Sequence, residues 1–209
     1  MDALQALGTP ELIALAAALG WASGLRLYAV LAFTGLAGYA GWVELPPGLQ
    51  VLQHPALLAG SGFMLFVEFF ADKIPGLDSL WDLVHTVVRI PAGAALAAGV
   101  FGADQATAAT LAALLGGTLA ATSHAAKATT RAAANTSPEP FSNIGLSLLG
   151  DMAVPSVLWL AFEQPLLALA VVALAVVVML VVVWLLSKFL VRLWARLKTL
   201  YGMTPSTPA

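Results

Sequence analysis

The 209-residue chain contains no cysteine. That excludes disulfides, thiolate metal sites and cysteine nucleophiles. It is also poor in charge, with 10% charged residues against 60% hydrophobic ones. A soluble domain carries about 25% charged residues, so this balance cannot cover a water-facing surface. The mean hydropathy of +0.91 agrees, and the solvent for most of the chain is read as lipid. No basic patch suggests nucleic acid, and a net charge of −2 favours no partner. The opening MDALQALGTPELIAL lacks the basic region of a signal peptide and is read as retained. The patterns His-Glu-x-x-His, Gly-x-Ser-x-Gly and the phosphate-loop glycines are absent. No known catalytic spacing is therefore present, and no cofactor is readable.

What charge there is, is concentrated. The stretch EFFADKIPGLDSLWDLVHTVVR holds Glu68, Asp72, Lys73, Asp78, Asp82, His85 and Arg89. Those are seven of the chain's 23 Asp, Glu, Lys, Arg and His residues, and apolar runs long enough for lipid flank them on both sides.

A membrane-crossing helix needs about 20 apolar residues. Six such stretches are read, over residues 10–39, 55–71, 79–100, 105–134, 142–162 and 166–200. The reading is an all-α polytopic membrane protein of six transmembrane helices in a single domain over 1–200, followed by a disordered tail over 201–209. Thr9-Pro10-Glu11 reads as a helix start, with Thr9 as cap. Gly20 and Gly24 form a small-xxx-small pair that permits close helix contact in lipid. Pro75-Gly76 and Asn135 to Pro140 mark breaks, as plain turns or as backbone dipping into the membrane, and Pro91 predicts a kink. Three spans followed by three invite an inverted-repeat arrangement. Asp72-Lys-Ile-Pro75 and Asp151-Met-Ala-Val-Pro155 are its loose sequence counterpart.

Loops around 41–54, 101–105 and 163–165 contain no Lys or Arg, whereas 72–78, 127–140 and the C-terminal end do. Positive residues mark the cytoplasmic side. In a six-span protein this predicts a bacterial inner-membrane protein with both termini cytoplasmic. Lys188, Arg192, Arg196 and Lys198 read as a lipid-headgroup stripe.

The candidate site residues come from several spans. Asp78, Asp82, His85 and Arg89 fall on one helical stripe, and His124, Lys127, Arg131 and Asn135 on another. Glu68 and Asp72 are i, i+4, with Lys73 beside them, while Arg26 lies midway along the first helix and Asp151 within the fifth. Capping is one reading of Asp78 and of Ser79 with Asp82, and topology alone is one reading of Lys127 and Arg131, beside a place in the site. Arg26, Glu68, His85, Arg89 and Asp151 lie inside apolar spans, where an unpaired charge costs at least about 2.5–3.5 kcal/mol. Two readings follow: mutual pairing, such as Arg26 with Asp151 and Glu68 with Arg89, or a hydrated functional site. Glu68, Asp72, Asp82 and His85 are the candidate metal ligands, since carboxylates with histidine suit a hard or borderline divalent ion.

Three segments carry a family resemblance. They are Ala22-Ser-Gly-Leu-Arg-Leu-Tyr-Ala29, the run from Glu68 to Asp82 with Arg89 after it, and His124-Ala-Ala-Lys-Ala-Thr-Thr-Arg131 followed by Asn135-Thr-Ser-Pro-Glu-Pro-Phe-Ser-Asn143. Over roughly residues 10–185 the chain resembles the bacterial membrane family catalogued as domain of unknown function 4126, a label that brings no activity with it. A weaker likeness is to cation exchangers with two inverted three-helix repeats, each bearing Glu-x-Gly-Asp-Lys/Arg. Here one extra residue separates Glu68 from Asp72-Lys73, glycine is missing, and the second half offers only Asp151.

The preferred reading is a small secondary transporter or ion pathway with a polar site in the cytoplasmic half of the bundle. Its substrate would be an inorganic ion or a phosphate-bearing small molecule or lipid. One alternative is a membrane enzyme acting on a lipid phosphate at the cytoplasmic surface, with Asp72, Asp78, Asp82, His85 and His124 holding a metal. The other is a non-catalytic membrane assembly partner. A homo-oligomer stays open.

Overall fold

The computed structural model describes residues 8–74, 76–136 and 141–200, which are helical with no strand among them. Six α-helices occur: α1 Thr9–Tyr39, α2 Pro55–Ala71, α3 Leu77–Gly99, α4 Ala106–Ala134, α5 Phe141–Glu163 and α6 Pro165–Leu200. Short 3-10 helices, Pro47–Gln53 and Ala103–Gln105, precede α2 and α4. Pro75 of the first break, residues 137–140 of the second and the tail 201–209, read as disordered, lie outside the described residues.

The molecule is turned inside out relative to a water-soluble protein. Arg26, Glu68, Asp72, Asp78 and Arg89 are buried, while Phe63, Leu83, Val87, Leu111, Met152, Leu174 and Val177 are exposed. Each of α2 to α6 presents an apolar outer face, as contact with lipid chains requires. By length and hydropathy alone, four helices are able to cross a membrane: α1, α4 with its preceding turn, α5 and α6. A fifth span arises if the Pro47–Gln53 turn and α2, bent by 71°, count together. α3 is the helix left out, and it is the one carrying Asp78, Asp82, His85 and Arg89.

α1 is the central element and is buried along nearly its whole first half, from Ala14 to Leu27. It is not one straight rod. Arg26 has φ −147° and ψ 82°, outside the helical region, and the chain folds back there. In the first arm Gly20 abuts Gly116 and Gly24 abuts Ala120, so this arm runs parallel to α4. In the second arm Gly35 abuts Leu52 and Gly38 abuts Leu45, so this arm runs back toward the 3-10 turn before α2. Leu12 and Gly38 consequently line one cavity together with Phe101, Asp104 and Gln105. In an unbroken helix they would stand about 39 Å apart.

This hairpin changes the reading of the topology. The start of α1, the 40–54 connection, the 100–105 turn and the α5–α6 junction share one end of the bundle. The Arg26 tip, the α2–α3 break and the last turns of α4 share the other, beyond which α6 extends. The two ends of the described chain thus lie at opposite ends of the bundle, contrary to the expectation of both termini on one side. The first helix is also not a single passage, because Arg26 reverses it. α4, its counterpart in a three-plus-three scheme, runs unbroken from Ala106 to Ala134, so the halves do not match there.

Small residues make the central packing. Gly93 meets Ala120, and Gly116 meets both Gly20 and Ala97, so the backbones of α1, α3 and α4 approach as closely as small-residue interfaces in lipid allow. The Ser123 hydroxyl donates to the Trp21 carbonyl at 2.7 Å, tying α4 to the hairpin. Two capping expectations fail. Gly8, not Thr9, is the cap residue of α1, and no side chain caps it. α3 begins at Leu77, and Asp82 turns inward to Arg89 rather than back to Ser79.

Candidate functional site

At the hairpin tip the chain gathers almost all of its buried charge. Five carboxylates, Glu68, Asp72, Asp78, Asp82 and Asp151, face five cations, Arg26, Lys73, Arg89, Lys127 and Arg131. The cluster is formally neutral, which is what allows it to exist in a low-dielectric interior.

Asp72, at the end of α2, is the hub. Its Oδ2 lies 2.9 Å from Arg26 Nη1 and 3.0 Å from Lys127 Nζ, and its Oδ1 lies 2.9 Å from Arg131 Nη1. One carboxylate therefore joins α1, α2 and α4. Asp82 is the second junction, 2.6 Å from Arg89 Nη1 and 3.1 Å from Lys127 Nζ. Glu68 completes the Arg89 pairing at 2.6 Å, with both side chains fully buried. Asp151 on α5 reaches Arg26 Nη2 at 2.9 Å and Lys73 Nζ at 3.1 Å. Both sequence-proposed pairs, Arg26 with Asp151 and Glu68 with Arg89, are thus formed.

The helix ends at the tip are satisfied by the same groups. Lys127 Nζ donates to the Leu25 carbonyl at 3.0 Å, placing a cation on the negative end of the first arm's dipole. Asp78 Oδ1 accepts from the Gly76 and Ser79 amides at 2.9 and 2.6 Å. Gly76 itself has φ 87°, a left-handed conformation that suits glycine. Asn135 donates to Asp78 at 3.3 Å and accepts from Asn143 on α5.

The histidines sit at the rim and their tautomers follow from their partners. Arg89 Nη1 donates to His124 Nδ1 at 3.3 Å, so Nε2 carries the ring proton and donates to Thr86 Oγ1 at 2.7 Å. Thr86 in turn donates to the Asp82 carbonyl at 2.9 Å. His124 therefore does not draw a proton from Thr86, and the pair is no nucleophile–base unit. His85 Nδ1 donates to the Trp81 carbonyl at 2.8 Å and its Nε2 accepts from the Tyr28 hydroxyl at 3.1 Å. It packs between these two rings and does not join the ion pairs.

The candidate metal ligands face other partners in this geometry. Glu68, Asp72 and Asp82 turn to Arg and Lys, and His85 turns away. Among the described residues no three His, Asp or Glu side chains are grouped to hold a metal ion.

Sequence reasoning missed Ser147, Asn143, Thr86 and Tyr28. Ser147 Oγ accepts from Arg26 Nη2 at 2.8 Å and from Lys73 Nζ at 3.3 Å. A signal existed: Asn143, Ser147 and Asp151 recur every four residues on an otherwise apolar α5, a polar stripe on one face.

Three buried polar atoms of the cluster's charged side chains have neither a hydrogen-bond nor an ion-pair partner among the described residues: Arg26 Nε, Glu68 Oε2 and Arg89 Nε. A cavity of about 380 Å³ opens beside Arg26, Lys127 and Arg131, with apolar walls from α1, α5 and α6. A wider recess of about 1160 Å³ lies at the opposite end, where Glu44, Gln50, Gln53 and Asp104 line it.

Comparison with curated proteins and with solved structures finds no match, so the likeness to cation exchangers gains no support. A family model covers residues 13–186, which takes in the hairpin, every member of the ion-pair cluster and most of α6. The chain belongs to the family described as Domain of unknown function (DUF4126).

Proposed function

We propose that this chain is a small transporter or ion pathway of the bacterial cytoplasmic membrane, with the ion-pair cluster at the hairpin tip as its transport site. One observation carries the reading. A broken helix buried in an apolar bundle ends on Arg26, in a cluster of ten charged side chains drawn from α1 to α5. Irregular backbone at membrane depth is tolerated only against protein or a water-lined cavity, and broken helices are where substrate and coupling-ion sites recur. A pairing needed only to hold helices together is replaceable by apolar side chains at little cost.

All nine Lys and Arg lie in the cluster or on the final stretch of α6, and none at the other end, where Glu11, Glu44, Asp104 and Glu163 lie. The positive-inside rule then sets the cluster end toward the cytoplasm. On this reading α2 to α6 cross, whereas α1 dips in from the outer side and returns. α3 is included despite its charges, because these are buried in the cluster while Leu80, Leu83 and Val87 face outward. The N-terminal start of α1 is outside and the C-terminal end of α6 inside. Met179 and Val182 flank the cluster's cavity, six to nine residues before Lys188, which puts it about 9–14 Å below the cytoplasmic edge of the hydrocarbon.

Purified protein in liposomes tests the reading, by flux of divalent cations, protons and phosphate-bearing lipids. Flux of one class above protein-free liposomes is expected, with loss in Asp151→Asn, which removes the partly exposed partner of Arg26 and Lys73. No flux of any class, together with no effect of Glu68→Gln, overturns it.

A further inference from the structure

We infer that the cavity beside Arg26 is a lipid site, which takes the phosphate headgroup of an anionic phospholipid against Arg26, Lys127 and Arg131 and its acyl chain between α5 and α6. The inference rests on the transporter reading and names its substrate class.

The cavity has two unlike parts. Its inner end is formed by Arg26, Lys127 and Arg131 around the Asp72 carboxylate that pairs with all three, and by the Ser147 side of α5. The rest is apolar, with Trp21 and Leu25 behind and Leu149, Val178 and Val182 in front. A small inorganic ion needs no such wall, whereas an acyl chain does. Its volume of about 380 Å³ lies at the small end of ligand pockets, about 300–1,000 Å³, enough for a headgroup and the first part of a chain.

Arg26 supplies the recognition. It is 1% exposed, yet its Nε has no hydrogen-bond partner among the described residues. On α5, Gly150 lies beside it, and a Cβ there would stand 3.6 Å from that Nε. A buried guanidinium N–H without an acceptor is unfavourable, and phosphate oxygen is an acceptor whose geometry the Arg fork matches. Asp151 and Lys73 form the outermost pair of the cluster, at 18% and 19% exposure. An arriving phosphate therefore exchanges with Asp151 at Arg26, leaving Asp151 to Lys73, and the cluster's inner pairs stay intact.

The mouth decides between a lipid and a free anion. Leu149 and Val178 line the cavity and are also exposed on the outer, lipid-facing surface, at 65% and 52%. The opening faces hydrocarbon, so a phospholipid slides in sideways while inorganic phosphate meets an apolar barrier.

Photo-crosslinking in bilayers tests this, using phosphatidylglycerol with a diazirine in its acyl chain and mapping of labelled peptides. Label is expected on the α5 segment around Leu149 and the α6 segment around Val178. Excess unlabelled phosphatidylglycerol should compete, and phosphatidylcholine or inorganic phosphate should not. Gly150→Leu fills the space before Arg26 Nε without removing a charge, and should cut labelling about tenfold, equivalent to 1.4 kcal/mol of affinity. Thermal stability in detergent should stay at the wild-type value. Arg26→Gln serves as a second variant: it should also cut labelling, but with a lowered melting temperature, because it leaves Asp72 and Asp151 without their Arg26 pair. Label spread evenly over outer positions such as Leu83, Val87 and Leu174, or competed equally by phosphatidylcholine, overturns the lipid site. Competition by inorganic phosphate alone reassigns the site to a free anion and also overturns it. Labelling as expected without lipid flux would overturn transport and keep the site; ion flux without labelling would do the reverse.

Discussion

At the residue scale, the cluster's energetics turn on completeness. Glu68 and Arg89 are both fully buried, and removing one partner leaves a charge that lipid and protein cannot solvate. Glu68→Gln is expected to destabilise the protein by about 3–5 kcal/mol, read as a lowered melting temperature in detergent. The double change Glu68→Met with Arg89→Met should recover most of that loss, because Asp82 keeps Lys127 and Arg131. Equal loss in the single and double variants would refute this account. Asp72 holds three cations and Asp151 two. Asp72→Asn should therefore lower the melting temperature more than Asp151→Asn, and the reverse order would show that Asp72 is not the hub.

The residue types of the site were legible because a charge in an apolar span has few structural excuses. Arg26, Glu68, Arg89 and Asp151 stood out on that ground alone. Ser147 and Asn143 did not, since a hydroxyl or amide in a helix costs little and is common. Their four-residue spacing ahead of Asp151 acquires meaning only when Arg26 and Asn135 stand opposite. The partners of Glu68, Asp72 and Asp82 were not legible for a related reason: carboxylates and a histidine near one another in sequence say nothing about the cations that reach them from other helices.

At the element scale, the hairpin depends on contacts that only glycine permits. A Cβ at Gly24 would run into the Ala120 carbonyl and the Ser123 hydroxyl, both part of the backbone tie between α1 and α4. Gly24→Leu should abolish folded protein in detergent, judged by a monodisperse peak in size-exclusion chromatography. Gly60 and Gly62 on α2 face open space, so Gly60→Ala should be tolerated and even stabilise the helix by about 0.5–1 kcal/mol. Equal behaviour of the two substitutions would contradict the packing described. The helical stretches were legible from apolar length and Pro-Gly breaks. The reversal at Arg26 was not, because Gly24-Leu25-Arg26-Leu27-Tyr28 contains no proline and reads as continuous helix. What bends it is tertiary: Asp72, Asp151 and Ser147 draw on the guanidinium of Arg26 from two directions.

At the scale of the whole molecule, orientation is open to direct measurement. The native chain has no cysteine, so a single introduced thiol is the sole labelling site. In intact cells a membrane-impermeant maleimide should label Gly8→Cys and Asp104→Cys, and should label Lys198→Cys only after permeabilisation. Protection of both Gly8→Cys and Lys198→Cys would restore both termini to the cytoplasm and remove the hairpin from the topology.

Composition alone determined the solvent: with so few charges, most of the surface has to be lipid, and the charges that remain have to face one another. The clustering of the basic residues in a few segments was also legible in sequence, because it needs only residue type and position. Tertiary structure decided how the first helix runs and what each charge meets. Both depend on one backbone reversal at Arg26, held in place by side chains from α2 and α5 that are 46 and 125 residues away in sequence. No local pattern encodes a bend whose cause lies that far along the chain.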